Sequence, residues 1–260
     1  MFLAGIPLRV GSGYRAYGVL FNRRVFTHRK TGERHEADYN LELLRELGCE
    51  IPGPGNAGAT IVIPEAARAR VKAILAEEGV EAEGRLVVIH PGTGGSAREW
   101  PLDSFGALAA GLARLPGLRL VVTGTSSESG RCEAICHATG GRARNLSGRL
   151  TIKELAALLQ GAALVVANST GPIHIAAAVG APILGFYPQI PVMGQVRWGP
   201  RTTRARVLVP GKDPACADCR DTKGRECACM ASIPVSDALR AAEELLNAVI
   251  PLSLPVPHVS

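Results

Sequence analysis

Leu86-Val87-Val88-Ile89-His90-Pro91-Gly92-Thr93-Gly94-Gly95-Ser96-Ala97-Arg98-Glu99-Trp100-Pro101 is the stretch on which the fold turns. Its first four residues are aliphatic with no alternation, the pattern of a strand buried on both faces. The glycines that follow allow close backbone approach, and N–H groups exposed in such a turn can cup a phosphate. A helical pattern opens after Pro101. Further along, Leu164-Val165-Val166-Ala167-Asn168-Ser169-Thr170-Gly171-Pro172-Ile173-His174 repeats the plan: apolar run, small-residue turn, helix start. Strand ends of this type gather N–H groups and a helix dipole around an anion. Two of them in one chain point to a phosphorylated ligand, a nucleotide first of all.

Outward from these segments, apolar runs fall at 86–89, 118–123, 163–167, 181–187 and 206–209. Helical patterns lie between them. One follows Pro101 through Phe105, Leu108, Leu112 and Leu115 and stops at Pro116-Gly117. A second covers 128–139. A third starts at Thr151 with Glu154 as a capping box and ends near Gly161. A fourth runs from Pro172 to Val179, and a last one covers 236–249 with Ser236 as N-cap. The order predicts an α/β fold, an open parallel sheet with helices on both faces. Ligands of such sheets sit beyond the carboxyl ends of the strands, where both turns lie.

The first 84 residues read differently. Gly5 to Val10 reads as a strand, 11–35 as a long loop, 36–47 as an amphipathic helix, 52–58 as a linker, Ile61 to Ile63 as a strand and Glu65 to Glu78 as a helix. This is too little to close a second doubly wound domain and reads as the end of one. The predicted organisation is therefore 1–60 as that remnant with its linker, 61–250 as a complete nucleotide-binding domain, and 251–260 as an irregular tail rich in proline.

The 260 residues are 47% hydrophobic and 20% charged, an ordinary globular composition. No apolar run has the length of a membrane span, and Met1 to Pro7 is too short and too soon interrupted for a signal peptide. The expected location is the cytoplasm. A net charge of +6 suits phosphate-bearing ligands or an anionic membrane surface, but equally a generally arginine-rich proteome. No dense basic block carries aromatics, so nucleic-acid binding is not expected.

The residues that could carry chemistry each have a structural alternative. Gly92, Thr93 and Gly94 form a phosphate cup or an ordinary glycine-rich connection. Arg98 would add a guanidinium matched to phosphate oxygens. Ser169, Thr170 and Gly171 form an anion site or a simple N-cap, with Pro172 near the first helical position. His174 lies in the first turn as a ligand contact or a core histidine. Glu128, after the 118–123 strand, takes a ribose hydroxyl pair or stabilises a helix dipole. Of the seven cysteines, Cys49, Cys132 and Cys136 read as isolated thiols. Cys216, Cys219, Cys227 and Cys229 have the density of a zinc site, against reduced thiols without metal or a redox role.

Together these residues resemble glycosyltransferase family 9, which includes the lipopolysaccharide heptosyltransferases. The resemblance rests on Ile89-His90-Pro91-Gly92 with Arg98-x-Trp100-Pro101, on Gly124-x-x-x-Glu128, on Asn168-Ser169-Thr170-Gly171-Pro172-x-His174-x-Ala176-Ala177-Ala178, and on the cysteine cluster ending Cys229-Met230. It implies a GT-B arrangement of two Rossmann-like domains, the C-terminal one binding the nucleotide-sugar donor. Arg98 then stands where members often have a phosphate-binding lysine, and Glu128 matches an acid implicated in ribose binding. Ser169 stands where many members are acidic, and Thr170, Gly171 and His174 match the phosphate-binding turn. The implied donor is ADP-heptose, the implied acceptor a lipid-linked cell-envelope glycan, and peripheral contact with the inner face of the inner membrane follows. No cofactor is required. The family's proposed catalytic base lies in an N-terminal loop to which nothing in 1–60 corresponds, so no catalytic residue is assigned. Neither Glu36 nor Asp38 is placed near the cleft by the sequence. The chain reads as a truncated member, with exposed apolar surface and self-association expected. The rival readings are an inactive nucleotide-binding remnant or partner subunit, and a zinc-bearing nucleic-acid binder.

Overall fold

A computed structural model of the chain describes residues 4–53, 55, 58–80, 83–211 and 228–248. Its centre is a six-stranded sheet in the order β5-β4-β3-β6-β7-β8, parallel throughout. The strands are β3 (Arg85–His90), β4 (Leu118–Val122), β5 (Ala143–Asn145), β6 (Leu164–Asn168), β7 (Ile183–Phe186) and β8 (Ala205–Leu208).

Helices cover both faces, as the unbroken apolar runs require. Val87 and Ile89 point into one core and Leu86 and Val88 into the other, as strand geometry dictates. On the first face pack α3 (Leu102–Leu112), α4 (Ser129–Ala138) and α9 (Val235–Asn247). On the second pack α2 (Glu65–Glu77), α5 (Ile152–Gln160) and α6 (Gly171–Ala178). The capping box at Thr151 is formed: Glu154 Oε2 accepts the Thr151 N–H at 2.7 Å. Two single turns, α7 (Gln195–Trp198) and α8 (Ala228–Ala231), lie in the C-terminal part of the chain.

The N-terminal segment holds β1 (Val10–Ser12) and β2 (Arg23–Val25), which pair in parallel with each other, and α1 (Glu36–Arg45). Tyr14, Tyr17, Val19 and Phe26 around this pair are exposed.

Four sequence readings need correction. The first strand is shifted from 5–10 to Val10–Ser12, and the loop expected over 11–35 contains β2 and two 3-10 turns. Ile61 to Ile63 is not a strand: it lies against α2, α5 and α6, with no strand beside it among the described residues. The last helix starts at Val235 with Pro234 in the N-cap position, so Ser236 is already inside it. Strand β5 was not foreseen, because Ala143-Arg144-Asn145 has no apolar run and joins the sheet only as an edge.

Candidate functional site

The chain leaves β3 for β4 and β5 on one side, then returns to place β6 on the other side of β3. Connections on either side of that line diverge, and the crevice they leave lies outside the carboxyl ends of the two strands. The turn after β3 and the turn after β6 flank it, with His90 opposite Ala167 in register.

The turn after β3 is braced from inside. Gly94 and Gly95 take φ of +57° and +84°, a region open to glycine without penalty. The Thr93 hydroxyl donates to Glu99 Oε1 at 2.7 Å and accepts the Gly95 N–H at 3.1 Å. Glu99 is buried, and Arg131 donates to its Oε2 at 2.6 Å. Asn168, fully buried at the end of β6, donates from Nδ2 to the Pro91 carbonyl at 2.8 Å. Its Oδ1 accepts the Trp100 N–H at 2.9 Å. The Trp100 indole stacks on Phe186 with ring centroids 4.1 Å apart and donates to the Ile233 carbonyl at 3.1 Å. Two turns on separate strands are thereby held as one rigid rim.

Glu128 faces this rim. A Cβ on Gly92 would lie 2.0 Å from its Oε1, so any side chain there must displace that carboxylate. Its Oε2 accepts both the N–H and the hydroxyl of Thr125 at 2.8 Å. Burial tends to raise the Glu128 carboxyl, but the Thr125 bonds, the neighbouring His90 and the Gly94 N–H outweigh it and hold it below the usual range. Burial pushes His90 down, and its Nδ1 lies 3.0 Å from the Thr123 hydroxyl.

The crevice itself is a cavity of about 460 Å³ lined by Ser96, Ala97, Ser169, Thr170, Gly171, His174 and the 192–198 segment. Helix α6 begins at its wall with Thr170 as N-cap and Pro172 in the first turn. The N–H groups of a helix's first turn have no intrahelical partner. The Thr170 hydroxyl is buried with no hydrogen-bond partner among the described residues, although the residue lines the cavity. Burial, then the nearby His35, lowers the His174 imidazole and keeps it neutral at pH 7.

Ser169, Thr170, Gly171 and His174 thus stand together on one wall, as their sequence spacing predicts. Gly92, Thr93 and Gly94 belong to the rim and Glu128 packs against Gly92; none of the four lines the cavity. Arg98 is only 1% exposed and does not line the cavity. Of the cysteine cluster, Cys216, Cys219 and Cys227 lie outside the described residues. Cys132 and Cys136 are buried on one face of α4, and burial raises their thiols to about 12 and about 11.

Sequence reasoning missed Arg197, the guanidinium in the cavity wall, which no strand-end signature marks. It also left Glu36 and Asp38 unplaced. The structure sets both against the segment that carries Arg197. Glu36 accepts from Arg197 Nε at 2.9 Å, Asp38 pairs with Arg201 at 2.6 Å, and His35 Nε2 lies 2.9 Å from the Gly199 carbonyl.

Among known proteins, residues 1–227 match the family model described as Glycosyltransferase family 9 (heptosyltransferase). A Haemophilus influenzae protein named "Putative glycosyltransferase" is 27% identical over 201 residues, 76% of this chain. The chain spans 58% of that protein's length. The solved Escherichia coli ADP-heptose lipopolysaccharide heptosyltransferase II superposes with a TM-score of 0.74 at 21% identity, covering 94% of this chain and 71% of that one. The E. coli heptosyltransferase WaaC with ADP gives a TM-score of 0.59 at 18% identity, covering 88% and 61%. At these identities the likeness to solved structures establishes the fold, which is GT-B-type. Among the described residues no helix is long and apolar enough to cross a membrane.

Proposed function

The chain belongs to glycosyltransferase family 9, and on that premise we propose that it takes part in transferring a sugar, heptose or a related one, from a nucleoside-diphosphate donor to a cell-envelope glycan acceptor. The observation that carries the reading is the α6 N-terminus at the switch point. There a buried, unpartnered Thr170 hydroxyl and a helix dipole meet one cavity. A relative of the same fold was solved with ADP.

In the reaction an acceptor hydroxyl attacks the anomeric carbon. The bond from that carbon to the phosphate oxygen breaks, and the diphosphate leaves with the electron pair. The hydroxyl proton passes to a base, which is not assigned to any residue of this chain. The contribution of this chain is to the leaving group: donors fixed in advance around the place where negative charge develops. Ser169, Thr170, Gly171 and the α6 N–H groups would hold the phosphates, with Gly92, Thr93 and Gly94 keeping the opposite rim in shape. Arg98 would act from behind that rim, and Glu128 would take the ribose hydroxyls. ADP-heptose is the first donor to test. Zinc at the late cysteines is not needed for this chemistry, since fixed N–H groups and a guanidinium can neutralise the diphosphate.

The experiment is a thermal-shift titration with ADP, UDP, GDP and CMP, followed by incubation with the matching nucleotide sugar. A ligand at about 100 times its dissociation constant stabilises the fold by roughly 2.7 kcal/mol. A shift with ADP and release of ADP from ADP-heptose in the presence of acceptor establish donor and activity. A shift without turnover supports the second reading, a nucleotide-binding partner subunit or remnant. A cooperative melt that no nucleotide moves refutes both.

A further inference from the structure

We propose that Arg197 is a phosphate-recognising residue of this cavity, and that Glu36, from the N-terminal segment, is its positioning residue. The inference rests on the donor-site reading and adds a residue and a coupling that the phosphate-binding turn does not contain.

Among the described residues that line the cavity, Arg197 carries the one permanent positive charge. A guanidinium offers five N–H donors in a flat fork. Two of them, on Nε and Nη2, face Glu36 Oε2 at 2.9 Å each. Among the described residues the others have no partner, which leaves them for a ligand. The Arg197 side chain is 17% exposed and its guanidinium lies over the Trp198 ring, 5.3 Å from its centre, so the group is held by the protein rather than swinging in solvent. Trp198 is itself fixed: its indole N–H donates to the Val192 carbonyl at 3.0 Å, and its own carbonyl accepts the Tyr187 hydroxyl at 2.8 Å.

Glu36 is equally constrained. Its Oε1 is bonded by Arg29, which also donates to Asn40 Oδ1 at 3.0 Å and the Tyr39 carbonyl at 3.2 Å. With a guanidinium on each oxygen, Glu36 acts as a clamp. The clamp is one of three on the same turn of α1. His35 to Gly199 and Asp38 to Arg201 sew that turn onto the segment after α7. The wall that supplies the cation is therefore aimed by residues more than 150 positions earlier in the chain. An arrangement of this kind suits a bidentate anion held against the α6 N-terminus: a diphosphate, with its second phosphate on the guanidinium.

The test uses the full chain and four variants, Arg197→Gln, Arg197→Lys, Glu36→Gln and Glu36→Asp, each first melted without ligand. Calorimetric affinities are then measured for inorganic pyrophosphate, for the nucleoside diphosphate that binds the parent chain, and for its monophosphate. The expected result is a loss of about 10- to 100-fold in diphosphate affinity for Arg197→Gln, the scale of a charge-assisted hydrogen bond. The monophosphate should lose less, and Arg197→Lys should recover part of the loss. Glu36→Gln should lower diphosphate preference and Glu36→Asp should restore it, which a merely structural role would not do. An Arg197→Gln chain that melts normally and binds diphosphate within about 2-fold of the parent overturns the proposal. So does an equal loss for mono- and diphosphate. Binding of pyrophosphate but no nucleotide, with the Arg197 effect intact, would sink the donor reading and keep this one. No response to either probe by the parent chain would end both.

Discussion

Asn168 and Trp100 meet across the switch point, the Trp100 backbone N–H donating to Asn168 Oδ1 at 2.9 Å while the other end of the same amide holds Pro91. One fully buried side chain thus welds the turn after β3 to the end of β6. Asn168→Ala would strand a buried N–H and a buried carbonyl. We expect a loss of about 2–4 kcal/mol, measured as a lowered urea midpoint with an unchanged slope. A loss below about 1 kcal/mol would show that the weld is dispensable.

Gly92 and Glu128 should behave as a coupled pair. Adding a methyl group at Gly92 drives it into a carboxylate that Thr125 holds in place. Gly92→Ala is expected to cost about 1–3 kcal/mol. In a Glu128→Ala background the same change should cost much less, a coupling that a double-mutant cycle reads directly. Additive effects would mean that the two groups do not meet.

Thr170→Val separates fold from site. The hydroxyl it removes is buried without a partner, so the unliganded chain should be as stable as the parent or up to about 1 kcal/mol more stable. Diphosphate binding should weaken by about 10-fold. A destabilised variant would place a protein partner on that hydroxyl and remove the argument for a ligand.

Acid should weaken the fold in two stages. His35, His90 and His174 all sit below their ordinary value of 6.5, chiefly through burial. The unfolded chain therefore binds more protons than the native one as pH falls through about 6.5, and stability drops. The carboxyls of Asp38 and Glu128 are likewise held low. Their contribution is present above the normal carboxylate range and disappears as pH falls further. Melting temperature should fall by roughly 5 °C between about pH 7.5 and 5.5. A flat profile there would show that these imidazoles protonate without resistance.

Much of the sheet was legible because its central strands announce themselves. Val87 to Ile89 and Leu164 to Ala167 are buried on both faces, and no other element tolerates that run so well. The edge strand β5 was illegible for the complementary reason: a three-residue edge with Arg144 and Asn145 needs no apolar pattern. At the site, Ser169, Thr170, Gly171 and His174 could be read together because a strand end and a helix start fix their spacing. Arg197 could not, since no strand end or helix start marks it and the carboxylate that holds it, Glu36, lies 161 positions earlier in the chain. Asn168 stood in plain view inside a motif, yet its role as a brace needs the coordinates of Pro91 and Trp100.

Among the described residues the pair β1 and β2 shares no ladder with the six-stranded sheet, each strand pairing with the other. Two three-residue strands outside the main sheet can separate without disturbing the core. Amide hydrogen exchange should therefore divide the chain into two clocks. The amides of Val87, Val88 and Ile89 should wait for global unfolding, while those of the β1–β2 pair should turn over through local opening many orders of magnitude sooner. The N-terminal segment would then keep two tempos within itself, fast at its strands and slow where α1 is sewn to the cavity wall.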